Sequence, residues 1–424
     1  SHVPSRATGP NAQACTDCHN QGADDGSGAA NGNVHRDANH TARFNQMVQR
    51  NTPHVMGLGG IQKLAEEITT DLQRIRDQGR TFLNCGTVRA GASVTNNLSS
   101  KGVNFGTLTI THDNNLATCR ETLNPPASGA ALAVSADLVV RPFQWKGSVA
   151  FIRDFVRGAA HNELGMQASE LLGSPVVDPA SVDGDGDGVR NELFVGDITS
   201  LTLYQAAQAR PTTRQELASL GLIPPLTTAE NAAIADGSAV FDRTGCGNCH
   251  VRRLLVNNVI FSEPSSLASY RDAGDRFPNG RTYASSNLDP ARAITFNLLE
   301  DAIENADILT PNGQKLGAFQ RDSQGRAIVE LFGDLRRHDM GSGLAEEVDE
   351  VGTGRSVFLT ENLWGVGSSA PYLHDGRAAT LTEAILEHGG EGRAARDAFA
   401  ASSTTAQKNL VAFLNNMVLF KAEE

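Results

Sequence analysis

The sequence of 424 residues lacks any apolar run long enough to cross a bilayer, and it is short of positive charge, with 36 Lys and Arg against 48 Asp and Glu. Because no apolar run is long enough, we expect no α-helix that spans a membrane. The net charge of −12 argues against nucleic acid and anionic membrane surfaces as main partners. Hydrophobic residues make up 40% of the chain and charged residues 20%, which excludes a disordered, collagen-like or coiled-coil protein. The length predicts two or more domains.

Cysteine is scarce, with six in the whole chain, yet four of them occur in two copies of the pattern Cys-x-x-Cys-His. The two copies are Cys15-Thr-Asp-Cys18-His19 and Cys246-Gly-Asn-Cys249-His250. This is the attachment pattern of c-type haem: two thiols three residues apart bond to one porphyrin, and the adjacent His reaches the iron. A zinc site made by all four cysteines is the alternative. Because 231 residues separate the copies and each ends in His, we predict two covalently bound haem c groups.

The other two cysteines are predicted to form a disulfide between Cys85 and Cys119, with two buried thiols as the alternative. Covalent haem attachment takes place outside the cytoplasm, where disulfides persist. We therefore expect a periplasmic or otherwise extracytoplasmic protein whose leader peptide has been removed. The residues between the two cysteines alternate apolar and polar side chains and are rich in Thr, Val and Gly, which predicts a small β insertion at about 80–140.

Apolar residues at helical spacing predict helices elsewhere in the chain. The predicted helices are 61–78, 148–160, 197–209, 227–244 and 404–420. The proline-containing stretch 210–228 predicts a boundary between two domains. We expect an N-terminal domain at 1–225, with the β insertion, and a C-terminal domain at 226–424.

Two pairs of segments resemble each other inside the chain. Residues 142–156 align with 371–385 at an offset of 229, close to the separation of the haem motifs, and residues 56–59 align with 364–367. Chance similarity of a short loop and helix is the alternative to a true repeat. The expected fold class is mainly α, with two cytochrome c-like haem domains related by this repeat and facing each other.

With these motifs, the sequence resembles the bacterial di-haem cytochrome c peroxidase superfamily, and within it the branch of di-haem (or thiol) oxidoreductases. The resemblance is carried by residues 338–346, 363–391 and 141–147 together with both haem motifs. It implies that Met340 is the distal ligand of the C-terminal haem iron, with His338 and Tyr372 as alternatives. His/Met ligation raises the reduction potential, as suits electron transfer.

The resemblance also implies that Trp145 lies between the haems as an electron relay, rather than as a packed side chain only, and that the N-terminal haem reacts with peroxide. A peroxidase needs an acid or base near the iron. The family's Glu corresponds here to Gly165, and the nearby Glu163 and His161 are the candidates to replace it.

The distal side of the N-terminal haem is less defined by the resemblance. His40 precedes residues 50–53 at about the place where peroxidases carry a removable distal His, and His35 and His54 are weaker candidates.

A calcium site is predicted in an acidic loop. Asp183, Asp185 and Asp187 occupy positions 1, 3 and 5 of an EF-hand-like segment whose position 6 is glycine. Position 12 is Phe rather than Glu, so Glu192 or Asp197 would complete the shell. A solvated acidic turn without Ca²⁺ is the alternative.

The expected function is therefore that of a di-haem peroxidase-like oxidoreductase, with hydrogen peroxide as substrate and a small redox protein, a cytochrome or a cupredoxin, as electron donor. Two alternatives remain open. Peroxide could drive the oxidation of a partner protein or an organic substrate, or the chain could be a non-catalytic di-haem electron carrier.

Overall fold

The computed structural model describes residues 11–20, 34–88, 91–172, 188–189, 192–300 and 317–419. Eight α-helices, α1 to α8, lie in this part of the chain. They are Leu58–Phe82, Ile152–Asn162, Val195–Ala206, Arg214–Ser219, Thr228–Arg243, Leu381–Leu386, Arg393–Ala400 and Thr404–Asn415. No helix among these residues has the length and apolar character needed to cross a membrane.

Helix α1 illustrates why the helical segments form where the apolar spacing predicts. Ile61, Leu64, Ile68 and Leu72 recur every three or four residues and are at most 3% exposed, so they form one buried stripe. The helix follows Gly57, whose φ of 72° needs a glycine. The other four predicted helices also form, with ends displaced by up to five residues.

Fourteen short strands, β1 to β14, form six antiparallel sheets in the described part of the chain. They are Val34–Arg36, Val48–Arg50, Ser93–Ser100, Val103–His112, Cys119–Asn124, Thr212–Thr213, Leu254–Val256, Ile260–Glu263, Ile294–Asn297, Gln320–Arg321, Ala327–Val329, Arg337–Asp339, Val357–Leu359 and Met417–Val418. The expectation of a mainly α, cytochrome c-like fold is wrong, because the described residues are 35% helical and 18% strand, in several small antiparallel sheets. Strands of two to four residues are too short to show a period of two, and several pair with distant partners, as β6 does with β14.

A three-stranded sheet with the order β3-β4-β5 lies within the predicted insertion range. Leu98, Phe105, Leu108 and Ile110 of this sheet are buried against the main core. The predicted disulfide is present: Cys85 and Cys119 are bonded, with Cα atoms 5.7 Å apart. It ties the end of α1 to the first residue of β5.

The largest apolar core is shared by residues from both sides of the predicted boundary at 225. Helix α1 packs in it together with Leu254, Val256 and Phe261. A second core lies between α5 and α8, where Phe241, Leu410 and Phe413 meet. The division into 1–225 and 226–424 remains a prediction.

The internal repeat has a matching backbone conformation in its two copies. Each copy forms one isolated antiparallel bridge, followed by a helix. The bridges are Phe143–Val149 and Tyr372–Ala378, at the same offset of 229. Two further positions in each copy share a positive φ: Gln144 and Leu373, at 64° and 71°, and Gly147 and Gly376, at 59° and 70°. The repeat is therefore a repeat of structure as well as of sequence.

Close packing of α5 on α8 gives a first prediction. A Cβ at Gly237 would lie 1.9 Å from the carbonyl oxygen of Asn409, whereas a Cβ at Gly158 in α2 meets nothing within 4 Å. We expect Gly237→Ala to lower the free energy of unfolding by about 1–3 kcal/mol through overpacking. Gly158→Ala should raise it by about 0.5–1 kcal/mol through helix propensity. Urea unfolding of the haem-loaded protein measures both, and equal effects would contradict the packing of α5 on α8.

Candidate functional site

The two Cys-x-x-Cys-His motifs adopt the same local conformation. In each, the first cysteine begins a 3₁₀ turn, Cys15–Asp17 or Cys246–Asn248. The backbone N–H of the histidine then donates to the carbonyl of the first cysteine, at 2.9 Å for His19 and 3.0 Å for His250. Both turns therefore give the backbone of the two cysteines and the histidine the same local conformation.

Both motif histidines have the tautomer that a metal ligand needs. His19 Nδ1 lies 2.9 Å from the carbonyl oxygen of Pro53, and His250 Nδ1 lies 3.1 Å from that of Phe332. A carbonyl only accepts, so Nδ1 carries the proton and Nε2 keeps its lone pair. Burial lowers the pKa of each imidazole to about 4, against the opposing effect of the carbonyl, so each is neutral at pH 7. A neutral imidazole oriented through Nδ1 fits axial ligation of haem iron.

The C-terminal motif opens into a large, mainly apolar cavity. Besides Cys246, Cys249 and His250, its walls carry apolar side chains from α5, α6 and α8 and from β13. These are Phe241, Phe358, Leu359, Leu381, Ala384, Leu410 and Leu414. An apolar cavity with thiols and one imidazole at its wall suits a porphyrin bonded to the protein.

A four-cysteine zinc site is not supported by the described residues. Within this part of the chain, the one group of three or more potential metal-ligating side chains is Cys249, Asp334 and His338. The two cysteine pairs thus do not converge, as separate haem motifs require.

His338, one alternative distal ligand, has both ring nitrogens engaged by carboxylates. Nε2 donates to Asp334 at 2.9 Å and Nδ1 to Glu391 at 3.0 Å. Burial alone would lower the pKa of His338, but these hydrogen bonds raise it to about 11. A protonated imidazole offers no lone pair to iron. His338 therefore lies in the cavity wall as a cation between two carboxylates.

Three other side chains at the cavity bear on the distal position. Tyr372 directs its hydroxyl to the carbonyl of Val366 at 3.2 Å, and burial raises its pKa. Met340, the predicted ligand, lines the cavity. His388, which the sequence reasoning missed, lies on the same wall, with its ring centre 6.4 Å from that of His250. A single His has no spacing signal, although its place just after the second repeat helix was visible in the sequence.

Trp145 has contacts that bear on both candidate sites. Its Nε1 donates to the carbonyl of Asn51 at 2.8 Å. Its indole packs edge to face on the ring of His374, with the ring centres 6.5 Å apart, and lines the C-terminal cavity. Since Pro53, two residues after Asn51, accepts the hydrogen bond of His19, one short loop contacts both Trp145 and the N-terminal motif histidine.

The candidate acid Glu163 lies beside the N-terminal motif. Its carboxylate accepts a hydrogen bond from Asn11 Nδ2 at 2.8 Å, and its backbone carbonyl accepts from the N–H of Asn11. Burial raises the pKa of Glu163, opposed by the contacts with Asn11 and Arg36. His161 is buried two residues earlier in the chain, at the end of α2. A half-buried carboxyl with a raised pKa beside the first motif is suited to proton transfer.

The candidate distal histidines of the N-terminal site lie in different environments. His40 is exposed in a loop with φ of 52°. The ring of His35 packs on Phe44 at 5.0 Å. His54 is buried, with Nδ1 accepting from the N–H of Met56 and Nε2 3.0 Å from the carbonyl of Trp364, so both of its nitrogens are engaged.

The calcium prediction lies largely outside the described residues, which do not include Asp183, Asp185 or Asp187. Glu192 is described, and its carboxylate accepts the backbone N–H of Gln167 at 2.7 Å. Asp197 accepts the N–H of Phe194 at the start of α3. Ca²⁺ remains a prediction from the sequence.

A network of buried ion pairs connects strands β1 and β2 with residues 346–350. Arg50 pairs with Glu346 and, at 2.7 Å, with Glu350, and the latter also pairs with Arg36 at 2.7 Å. None of the four side chains is more than 19% exposed. The strand before the Asn51 loop is thereby fixed to residues 346–350.

This network generates a second prediction. Arg50→Met would leave Glu346 and Glu350 with less compensating charge in a buried position, and we expect the free energy of unfolding to fall by about 3–5 kcal/mol. The control is Arg120→Met, because Arg120 is 76% exposed in its pair with Asp113 and should change the value by less than about 0.5 kcal/mol. Similar small effects of both variants would show that the Arg50 network contributes little.

Comparison with protein families bears on the C-terminal part of the chain. The family model described as "Di-haem oxidoreductase, putative peroxidase" matches residues 312–417, about a quarter of the sequence. This segment contains Met340, Tyr372, His374 and His388 but neither haem motif. A comparison with curated proteins gives no match. The family match confirms, over this segment, the resemblance of the chain to the di-haem oxidoreductases and peroxidases, a family that implies an oxidoreductase carrying haem.

Proposed function

We propose that the protein is an extracytoplasmic di-haem c-type oxidoreductase that reduces hydrogen peroxide. Cys246, Cys249 and His250 would hold the haem that accepts electrons from the donor, and Cys15, Cys18 and His19 would hold the haem that reacts with peroxide. Trp145 would lie on the path between them. Haem supplies iron that changes oxidation state and, at the N-terminal site, binds peroxide. The donor is a small cytochrome or cupredoxin, and its basic surface would complement the net charge of −12.

One observation carries this proposal: the loop of residues 51–53 joins the two sites. His19 donates to the Pro53 carbonyl at 2.9 Å and Trp145 donates to the Asn51 carbonyl at 2.8 Å. The same indole lines the cavity of the C-terminal motif. The bonded path between the imidazole of His19 and the indole of Trp145 is thus three residues of backbone and two hydrogen bonds.

The hydrogen bond of Trp145 also bears on its chemistry. A backbone carbonyl accepts a hydrogen bond but is too weak a base to take the proton. The hydrogen bond therefore orients the indole without removing its Nε1 proton.

On the N-terminal side, Glu163 is the proposed proton donor. Burial raises its pKa, so a larger fraction is protonated near neutral pH than for an exposed glutamate. A positioned acid of this kind typically contributes about 10²–10⁴ to a rate. The hydrogen bond from Asn11 fixes the orientation of the carboxyl group.

The relay is tested with Trp145→Phe, which keeps an aromatic ring but removes the donor to Asn51. We expect inter-haem electron transfer in half-reduced protein to slow at least about tenfold, a loss equivalent to about 1.4 kcal/mol in the barrier, as followed by stopped-flow absorbance. Trp364→Phe is the matched control, since the only other tryptophan in the chain is buried 219 positions later against Phe319. Equal rates for wild type and Trp145→Phe would leave Trp145 a packing residue.

The acid is tested with Glu163→Gln, which retains an acceptor for Asn11 but carries no acidic proton. Peroxide consumption should fall by about 100-fold or more while the haem spectra stay unchanged. Unaltered peroxide consumption would exclude Glu163 as the proton donor. If the wild-type protein has two low-spin six-coordinate haems and no peroxide turnover, it is an electron carrier instead.

Peroxide-driven oxidation of a partner protein or organic substrate is distinguished in the same assay. In that case no cytochrome or cupredoxin is needed. After reaction with peroxide, the oxidised protein returns to its resting state when the oxidisable partner is added and stays oxidised without it.

A further inference from the structure

We infer that His388 is the second axial ligand of the C-terminal haem, opposite His250, in place of the methionine that the sequence predicts. The inference rests on the haem site proposed at Cys246–His250, but not on the peroxide reaction proposed at the other haem.

The distance between the two rings carries the inference. Imidazole nitrogens ligate metals at about 2 Å, so two rings on opposite sides of one ion have their centres about 6 Å apart. The centres of His250 and His388 lie 6.4 Å apart, with the ring planes inclined at 59°. Both rings line the cavity that also holds the motif thiols.

The hydrogen bonds of His388 match those of His250. His388 Nδ1 lies 2.7 Å from the carbonyl oxygen of Ala384, as His250 Nδ1 lies 3.1 Å from that of Phe332. In both rings a backbone carbonyl fixes the proton on Nδ1 and leaves Nε2 as the nitrogen with a lone pair. This is the orientation device found behind metal-ligating histidines.

The local fold holds His388 in place. Helix α6 starts at a capping box made by Thr380 and Glu383, and His388 bonds back to its last turn. The chain then crosses Met340 so closely that a Cβ at Gly389 would lie 2.6 Å from the Met340 carbonyl. Glu391 closes the loop by accepting the backbone N–H groups of Asp339 at 2.8 Å and Ala131 at 3.0 Å.

The other candidates are less suited to the position. Both nitrogens of His338 donate to carboxylates, and the Tyr372 hydroxyl is 3.2 Å from the Val366 carbonyl. Met340 lies beside His388: a Cβ at Gly392 would lie 3.2 Å from Met340 Cε and 3.3 Å from His388 Cδ2. The thioether thus packs against the loop that carries the imidazole.

Ligation by two histidines has a consequence for the electron donor. A methionine ligand raises the reduction potential of a c-type haem, so a pair of imidazoles gives a lower potential. The redox partner would then be a carrier of lower potential than one that serves a His/Met haem.

The test uses the haem-loaded full-length protein with variants His388→Met and Met340→Leu. The readouts are magnetic circular dichroism, electron paramagnetic resonance and the midpoint potential of the C-terminal haem. We expect the wild type to lack the charge-transfer band of methionine-ligated ferric haem. His388→Met should create that band and raise the potential, whereas Met340→Leu should leave both the band region and the potential unchanged.

The opposite pattern overturns the inference: a methionine band in the wild type that Met340→Leu removes, or a low-spin spectrum that survives His388→Ala unchanged. A bis-histidine spectrum in a protein without peroxide turnover would support the inference while contradicting the proposed function. If mass spectrometry finds no haem bonded to Cys246 and Cys249, both fail together.

Discussion

The arrangement of both sites depends on the loop of residues 51–53, whose backbone groups form hydrogen bonds with residues of both sites. The Pro53 carbonyl orients His19, the Asn51 carbonyl receives the indole N–H of Trp145, and the Asn51 N–H donates to the carbonyl of His374. Both hydrogen bonds are accepted by backbone carbonyls of the same loop, so a shift of this loop would move the imidazole of His19 and the indole of Trp145 together. The buried pair of Arg50 with Glu346 fixes the strand that leads into it.

The internal repeat explains why one loop can serve both sites. Trp145 and His374 occupy equivalent positions in the two copies, and their rings meet edge to face at 6.5 Å. Equivalent residues of two similar segments meet where those segments face each other. The contact therefore lies where the two copies meet, with Trp in one copy and His in the other. The facing of the two copies is also consistent with the large apolar core that α1 shares with residues 254–261.

Local patterns in the sequence predicted the long helices, the small sheet between Cys85 and Cys119, their disulfide and the repeat, since each leaves a regular spacing or a motif. The same patterns failed on the fold class. Strands such as Arg337–Asp339 and Val357–Leu359 form because they pair with each other next to the cavity, and three residues carry no detectable period. His388 was missed for a related reason: a single histidine forms no motif, and only the folded chain shows that its ring lies near that of His250.

The sequence by itself determined the two Cys-x-x-Cys-His motifs and their conformation, because the chemistry of each is contained in five consecutive residues. It also pointed to Trp145, Met340 and Glu163 as residues to consider. Only the tertiary structure decided which nitrogens are available. His338 and His54 have both ring nitrogens engaged, by two carboxylates in one case and by backbone groups in the other, whereas His250 and His388 each have one nitrogen fixed by a carbonyl. The proton on Nδ1 of His250 is fixed by Phe332, 82 positions away in the chain, and no local spacing encodes that contact. The contact of His388 with Ala384 is local, but only the tertiary structure brings its ring to the ring of His250.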